Sequence, residues 1–328
     1  MPELWLQRLS GGPTLVEGQL LDAQVQAIIA AARALRIRDS EDVGISRRKF
    51  EEDMPAVAPA AVPMRIERDL SVDLGDATSR ARLYVPNGAA AKPPLLVFFH
   101  GGGFVVGSLE SHGASVREFA EMCGIAILSV EYRLAPEHKA PASAEDSYRA
   151  YLWARAHAAE LGVDGERVGV GGDSAGGNVS AVLSQFCRDR GQRVPELQLL
   201  VYPAVDCTCS MKSHRTFARG FMLEEARIEW YLKQYLVSDA QRRDASVSPL
   251  FATSFEGLPP AIVVTAGFDP LRDEGKVYAE KLQSAGVPVT FRCEESQIHG
   301  FFNMTGVVRE ARAANLRLAE DVRSVLRA

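Results

Sequence analysis

The sequence of 328 residues has no uninterrupted apolar run of the ~18 residues that a membrane-spanning helix requires. It has no excess of basic residues either, because 37 Lys and Arg stand against 42 Asp and Glu, a formal net charge of −5. A basic surface for nucleic acid is therefore not expected, nor is a membrane partner. The opening segment MPELWLQRLSGGPTLVEG has no charged stretch followed by an apolar one, so no secretory signal is predicted.

Cysteine is scarce and irregularly spaced, with five residues, an odd number. Cys207 and Cys209 are two positions apart, which is neither a CxxC motif nor a paired zinc motif. We therefore predict no disulfide framework and no metal site. Reduced thiols are typical of the cytoplasm, which is the predicted location.

Short, almost wholly apolar runs alternate with helical stretches over most of the chain. The runs are Leu95–Phe99, Ile125–Val130, Val168–Val170, Leu197–Tyr202 and Ala261–Thr265. The helical stretches are Ser115–Met122, Ala144–Ala159, Ala175–Asp189 and Asp273–Ala285, and a last strand, Val289–Cys293, precedes a helix over Val308–Leu326. Strands that are apolar on both faces are typical of a parallel sheet covered on both sides by helices. The predicted fold class is α/β, with a mostly parallel central sheet.

Two regions depart from this alternation. Near the start, a helix is predicted over Gln19–Arg36, and an irregular charged connector leads to two strands, Met64–Leu74 and Arg80–Val85. Later, the interval Ala204–Pro249 is long and helical only in places, so it is interpreted as an insertion between two strands.

The strongest local signal is the segment GDSAGG, which fits the pattern G-x-S-x-G. Its serine, Ser174, lies between the predicted strand Val168–Val170 and the predicted helix Ala175–Asp189. A serine on so sharp a turn has a strained backbone, but its Oγ is exposed above the sheet, and the amide of Ala175 faces the oxygen of a reacting carbonyl. We predict that Ser174 is a nucleophile; a glycine-rich turn with a capping serine is the alternative.

A second glycine-rich segment, HGGGF, directly follows the apolar run Leu95–Phe99. Consecutive glycines leave backbone N–H groups uncovered and free to adopt unusual φ values, so the segment can bind a developing oxyanion. A flexible turn is the alternative. Neither glycine-rich segment has the full dinucleotide pattern G-x-G-x-x-G or the Gly-Lys-Ser/Thr of a P-loop, so no nucleotide site is predicted.

A serine nucleophile needs a base to take its proton and a carboxylate to hold that base. In α/β hydrolases the acid and then the histidine follow the serine along the chain. Asp269 and His299 both come after predicted strands, where a parallel sheet gathers its ligands, and His299 is the only histidine after Asp269. They are the predicted acid and base. Asp273 is the alternative acid, and helix capping is the alternative role of Asp269.

Five ordered motifs resemble the hormone-sensitive-lipase-like branch of the α/β hydrolases (bacterial esterase family IV): HGGGFVVGS, YRLAPEH, GDSAGGN, DPLRDEG and HGF. The resemblance implies a nucleophile at Ser174, an acid at Asp269 and a base at His299. It further implies oxyanion-binding amides at Gly102, Gly103 and Ala175, and a loop-shaping role for His100 with Gly101.

The same resemblance implies the α/β-hydrolase fold with a helical cap. The implied division is residues 1–57 for the N-terminal part of the cap, 204–249 for its inserted part, and 58–203 with 250–328 for the catalytic domain. The chain departs from the family pattern at Lys139 and Ala140, where an apolar and aromatic stretch is more usual.

The activity that the resemblance implies is a serine carboxylesterase that hydrolyses short-chain acyl esters through an acyl-enzyme, with water as the second substrate and without a cofactor. Two alternatives stay open. One is a non-catalytic small-molecule receptor on the same fold; the other is a hydrolase of amides, lactones or carbamates, since acyl transfer to water shares one mechanism. Because relatives often pair through the last strand, a homodimer through the edge near Val289–Cys293 is also expected.

Overall fold

An eight-stranded sheet forms the centre of the computed structural model, which describes residue 6, residues 10–34 and residues 40–326. Its strands are β3 (Met64–Asp73), β4 (Thr78–Pro86), β5 (Leu95–Phe99), β6 (Ala126–Val130), β7 (Val168–Asp173), β8 (Gln198–Val201), β9 (Ala261–Phe268) and β10 (Val289–Ile298). A small hairpin, β1 (Leu15–Val16) and β2 (Gln19–Leu20), precedes them.

The sheet is mostly parallel, with the strand order β10-β9-β8-β7-β5-β6-β4-β3. The strands from β10 to β6 in this order pair in parallel, whereas β4 pairs antiparallel with both β6 and β3. The carboxyl ends of the parallel strands therefore share one edge of the sheet, where ligands gather in folds of this kind. The predicted fold class is confirmed.

Helices cover both faces of the sheet. They are α1 (Ala23–Ala34), α2 (Val43–Asp53), α3 (Leu109–Cys123), α4 (Ala142–Ala156), α5 (Ala158–Leu161), α6 (Ala175–Asp189), α7 (Lys212–Thr216), α8 (Glu225–Tyr235), α9 (Arg272–Ser284) and α10 (Arg309–Leu326). Leu95, Val97 and Phe99 of β5 pack in one core cluster with α4 and α6, and Leu96 and Phe98 pack in another with α3 and α10. All five side chains are buried, which explains why β5 is apolar throughout. Over the described ranges, no helix combines the length and the apolar character needed to traverse a bilayer.

The N-terminal helices differ from the prediction. The predicted helix Gln19–Arg36 is shorter, because its first two residues form β2, and Asp22 caps α1 by accepting the N–H groups of Gln24 and Val25 at 2.7 and 3.1 Å. Residues 35 and 36 lie outside the described ranges. The charged connector that follows contains an unpredicted helix, α2, whose sequence VGISRRKFEED has too few apolar residues for periodicity to reveal it.

Candidate active site

Ser174 lies on the turn between β7 and α6. Its backbone has φ +57° and ψ −114°, a conformation that residues with a side chain rarely adopt. The turn also requires glycine on both sides of the serine: a Cβ at Gly172 would lie 2.2 Å from the Phe99 carbonyl oxygen, and a Cβ at Gly176 would lie 1.8 Å from the same oxygen. These glycines let the turn approach β5 closely, and the packed surroundings hold the strained serine in place.

The structure brings Asp269 and His299 to Ser174. His299 Nε2 lies 2.9 Å from Ser174 Oγ, and His299 Nδ1 lies 2.8 Å from Asp269 Oδ2. Asp269 follows β9 and is fully buried, and its Oδ1 accepts the N–H of Leu271 at 2.8 Å. The alternative acid, Asp273, is engaged elsewhere, because its carboxylate accepts a backbone N–H from the insertion at 2.9 Å.

The glycine-rich loop after β5 lines the same cavity as Ser174 and His299. Gly102 has φ +119° and Gly103 has φ +60°, in the left-handed region that favours glycine. A Cβ at Gly103 would lie 2.3 Å from Cγ of Tyr231, so this position has no room for a side chain. Ala175 is the first residue of α6, and its N–H has no acceptor within the helix. Among the hydrogen bonds of the described residues, none uses the N–H groups of Gly102, Gly103 or Ala175.

A buried carboxylate, Asp173, joins this loop to the serine turn. Asp173 Oδ1 accepts the Gly101 N–H at 2.8 Å, and Oδ2 accepts from Asn303 Nδ2 at 3.2 Å. Burial by itself raises the pKa of Asp173, but the nearby His112 imidazole and the Gly101 N–H outweigh burial, so the pKa lies below its usual value. Asp173 is therefore a carboxylate that only accepts hydrogen bonds, and it holds the loop and the serine turn together.

His100 shapes the loop from within the protein. Burial lowers its pKa to about 4, so the imidazole is neutral near pH 7, and its Nδ1 lies 2.7 Å from the Gly101 carbonyl oxygen. The ring stacks on Tyr132 with a centroid separation of 4.6 Å, and the Tyr132 hydroxyl donates to the His100 carbonyl at 2.8 Å. These contacts hold the backbone of the loop and are consistent with the loop-shaping role that the resemblance implies.

A cavity of 520 Å³ opens beside Ser174, His299 and the loop glycines. Its lining is mostly apolar and comes from two further parts of the chain. The N-terminal part contributes Ile28, Ala31, Ala32, Phe50, Met54 and Val57, and the segment between β8 and β9 contributes Ala204, Met222, Leu223, Ile228, Tyr231 and Leu232. A cavity of this size and polarity suits a small, mainly apolar molecule.

The segment between β8 and β9 is joined to α9 by a buried pair, His214 and Glu274. Their side chains are 3% and 0% exposed, and His214 Nε2 lies 2.7 Å from Glu274 Oε2. Glu274 Oε1 also accepts the N–H groups of Val205 and Asp206 at 2.7 and 3.1 Å. Burial opposes a charge on His214, but its hydrogen bonds to Cys209 and Glu274 outweigh burial and raise the pKa of His214 to about 10.

This raised pKa predicts a pH-dependent contribution of His214 to stability. An unfolded histidine has a pKa of about 6.5, so the stabilisation from the raised pKa of His214 is complete near pH 6 and is lost as the pH rises through about 10. Burial raises the pKa of Glu274, so the charged pair weakens again in more acidic solution. We expect the Tm of the wild type to exceed that of His214→Gln most near pH 6, with a difference that shrinks up to pH 10. Thermal unfolding of both proteins over this range measures it. A difference that grows with pH would contradict the charged pair.

Some residues around the site were not predicted. Arg47 of α2 donates from Nε to the Val105 carbonyl at 2.8 Å and from Nη2 to the Ala135 carbonyl at 3.0 Å, and it forms an ion pair with Glu137 at 2.7 Å. It thereby ties α2 to the loop after β5, although no motif marks it in the sequence. Asp173 could have been singled out, because it lies within GDSAGG, but its partners come from distant segments.

Comparisons with known proteins agree with this architecture. The family model described as alpha/beta hydrolase fold matches residues 96–303. Carboxylic ester hydrolase LipN of Mycobacterium tuberculosis (strain ATCC 25618 / H37Rv) is 41% identical over 304 residues, covering 90% of this chain and 80% of the relative. Ethyl acetate hydrolase of Pseudomonas putida is 36% identical over 270 residues, covering 81% of this chain and 85% of the relative.

Solved structures show the same likeness. An esterase of Pyrobaculum calidifontis superimposes with a TM-score of 0.84 at 36% identity, covering 90% of this chain and 97% of that one. A second solved structure is that of ester-hydrolase EH1AB1 from the metagenome of Lake Arreo, complexed with a derivative of bipyridine phosphonate. It superimposes with a TM-score of 0.89 at 34% identity, covering 95% of this chain and 99% of that one. The chain therefore belongs to the α/β-hydrolase fold family, within the hormone-sensitive-lipase-like branch that its motifs resemble.

Proposed function

We propose that this protein is a serine carboxylesterase that hydrolyses short-chain acyl esters through an acyl-enzyme intermediate. The observation that carries the proposal is the continuous hydrogen-bonded arrangement of Ser174, His299 and Asp269 at an apolar cavity, beside backbone amides for which the described part of the chain supplies no acceptor. Two of the relatives are named as a carboxylic ester hydrolase and an ethyl acetate hydrolase, which supports the same reaction class for this chain.

In the proposed first step, Ser174 attacks the carbonyl carbon of the ester. A bond forms between Oγ and that carbon while the Oγ proton passes to His299 Nε2, which lies 2.9 Å away. His299 Nδ1–H donates to Asp269, which keeps Nε2 free to accept the proton and then stabilises the imidazolium. The electron pair of the carbonyl double bond moves onto the carbonyl oxygen, which becomes an oxyanion.

The oxyanion accepts hydrogen bonds from the N–H groups of Gly102, Gly103 and Ala175. Loss of one donor of this kind typically costs about 2.7–4 kcal/mol of transition-state stabilisation. Collapse of the intermediate breaks the carbon–oxygen bond to the alcohol, and the alcohol leaves with the proton from His299. Water then attacks the acyl group, with His299 again as the base, and the carboxylic acid and free Ser174 are released.

We further propose that the chain has a two-part cap over a catalytic domain. The division is residues 1–57 and 204–249 for the cap, and residues 58–203 and 250–328 for the catalytic domain. Both parts of the cap line the cavity, and they contact each other through a hydrogen bond from Trp230 Nε1 to the Glu41 carbonyl at 3.2 Å and another from Arg33 to Gly220 at 3.1 Å. A cap of this kind excludes water and limits the length of the acyl group.

The proposal extends to the cellular location and the assembly of the protein. We place the protein in the cytoplasm because its five cysteines are free thiols, as is typical of a reducing compartment. We propose a homodimer through Val289–Cys293 because β10 is an edge strand, along which a second copy could extend the sheet.

The proposed activity is tested with p-nitrophenyl butyrate and with its matched anilide. We expect release of p-nitrophenol with a kcat of about 1–10³ s⁻¹, slower hydrolysis of the palmitate ester, and much slower cleavage of the anilide. Equal rates for ester and anilide would favour an amide hydrolase. Binding of esters without hydrolysis would favour the receptor alternative.

A further inference from the structure

Lys139 lies at the C-terminal end of α8, the helix that forms one wall of the cavity. We propose that Lys139 is a positioning residue for substrate selection: its ammonium group fixes the end of α8 and, through it, the side chains that a longer acyl group must contact. This inference rests on the proposed esterase activity.

Lys139 and its neighbour satisfy the carbonyl groups that the end of a helix leaves without a partner. Lys139 Nζ donates to three backbone carbonyl oxygens, those of Lys233 (3.2 Å), Gln234 (2.8 Å) and Leu236 (2.8 Å). The Ala140 N–H donates to the carbonyl of Tyr235 at 2.9 Å. Two adjacent residues of the segment before α4 therefore bind the last turn of α8 and the residue that follows it.

An ammonium group suits this place for two physical reasons. It has three N–H donors, which matches the three carbonyl oxygens around it. Its positive charge also lies at the negative end of the helix dipole. Between residues 40 and 326 no carboxylate forms an ion pair with Lys139. Its ammonium group therefore contacts the carbonyl oxygens at the end of the helix. An apolar side chain of similar length would leave these carbonyl groups without a donor from residue 139.

The position of α8 determines one wall of the cavity. Ile228, Tyr231 and Leu232 of this helix line it. The ring of Tyr231 also lies on the backbone of Gly103, so closely that a Cβ there would lie 2.3 Å from the ring. A shift of the last turns of α8 would therefore move this wall relative to the loop whose amides are the proposed oxyanion donors. We infer that a six-carbon acyl group, which is four carbons longer than an acetyl group, depends more on the position of this wall.

The test compares p-nitrophenyl hexanoate with p-nitrophenyl acetate in the wild type and in Lys139→Met. The variant removes the three donors while it keeps the length of the side chain. We expect kcat/KM for hexanoate to fall about tenfold, mainly through a higher KM, and kcat/KM for acetate to change less than about twofold. Lys139→Arg keeps a charged donor and is expected to restore most of the preference for hexanoate.

Lys281→Met is the matched control. Lys281 Nζ donates to the Leu250 carbonyl at 2.9 Å, and Lys281 does not line the cavity, so this variant should leave the ratio of hexanoate to acetate activity unchanged. Lys139→Gln is measured as well, because it retains one amide donor and is milder if Lys139→Met fails to fold. We expect it to lower the ratio about threefold.

The outcomes separate a positioning role from a merely structural one. The inference is overturned if Lys139→Met or Lys139→Gln folds with a lower Tm but keeps the wild-type ratio of hexanoate to acetate activity. The proposed esterase activity would still stand in that case. If the wild type hydrolyses neither ester, the proposed function fails, and the inference fails with it.

Discussion

Ser174→Ala is expected to lower kcat for p-nitrophenyl butyrate by about 10⁶-fold and to leave the fold intact. The variant removes the Oγ that lies 2.9 Å from His299 Nε2, so no side-chain oxygen remains there to form an acyl-enzyme. A small residual rate should persist, because the cavity and the oxyanion-binding amides are unchanged. Alanine and serine meet the same backbone strain at φ +57°, so Tm should change little. Steady-state kinetics and thermal unfolding of the purified variant measure both quantities.

Ser180→Ala provides the matched control for this substitution. Ser180 lies on α6, and its Oγ donates to the Gly176 carbonyl at 2.8 Å, within the same helix. Loss of this bond should lower the stability slightly and change kcat by less than about threefold. If Ser174→Ala retained a tenth of the wild-type activity, Ser174 would not be the nucleophile.

Asp269→Asn is expected to lower kcat by about 10⁴-fold and to leave the fold nearly unchanged. This is the second largest loss of activity that we expect from a single substitution. The reason lies in the two partners of this side chain. Oδ1 accepts the Leu271 N–H at 2.8 Å, so the oxygen of an asparagine amide would stay there and its NH₂ group would face His299 Nδ1. Nδ1 would then have to accept a hydrogen bond, which places the proton on Nε2. His299 could no longer accept the proton of Ser174.

Asp273→Asn tests the alternative acid with the same chemical change. Asp273 Oδ2 accepts the Ser213 N–H at 2.9 Å, and Oδ1 lies 2.9 Å from Arg272 Nε. It is not in contact with the imidazole, so we expect kcat to change by less than about fivefold, together with a lower Tm. If Asp273→Asn lost more activity than Asp269→Asn, Asp273 and not Asp269 would be the acid of the triad.

Much of the sheet was predictable because a strand that is buried on both faces has an almost wholly apolar sequence. β5 has the sequence LLVFF, and β9 is likewise buried at every position. The boundaries of helices were less predictable, because they depend on single capping side chains. The helix predicted from Ser115 begins at Leu109, since Ser108 Oγ accepts the N–H groups of Glu110 and Ser111, each at 3.1 Å.

The candidate site was predictable to a similar degree. Ser174 has glycines at fixed positions around it, and Asp269 and His299 follow strands in the expected chain order. The groups that hold these residues were not predictable. Arg47 lies in a mostly charged helix without a motif, and the contact between Tyr231 and the glycine loop joins segments more than a hundred residues apart, so neither leaves a local pattern in the sequence.

By itself, the sequence determined the class of the fold and the candidates for nucleophile, acid and base, because apolar runs, glycine spacing and motif order are local properties of a chain. Only the tertiary structure showed that Asp269, and not Asp273, lies next to His299, and only it revealed that Lys139 binds the end of α8. Both contacts depend on the relative positions of backbone segments that are distant in the sequence. Hydrogen bonds act over about 3 Å, and residue spacing along the chain does not specify distances between segments that meet only after folding.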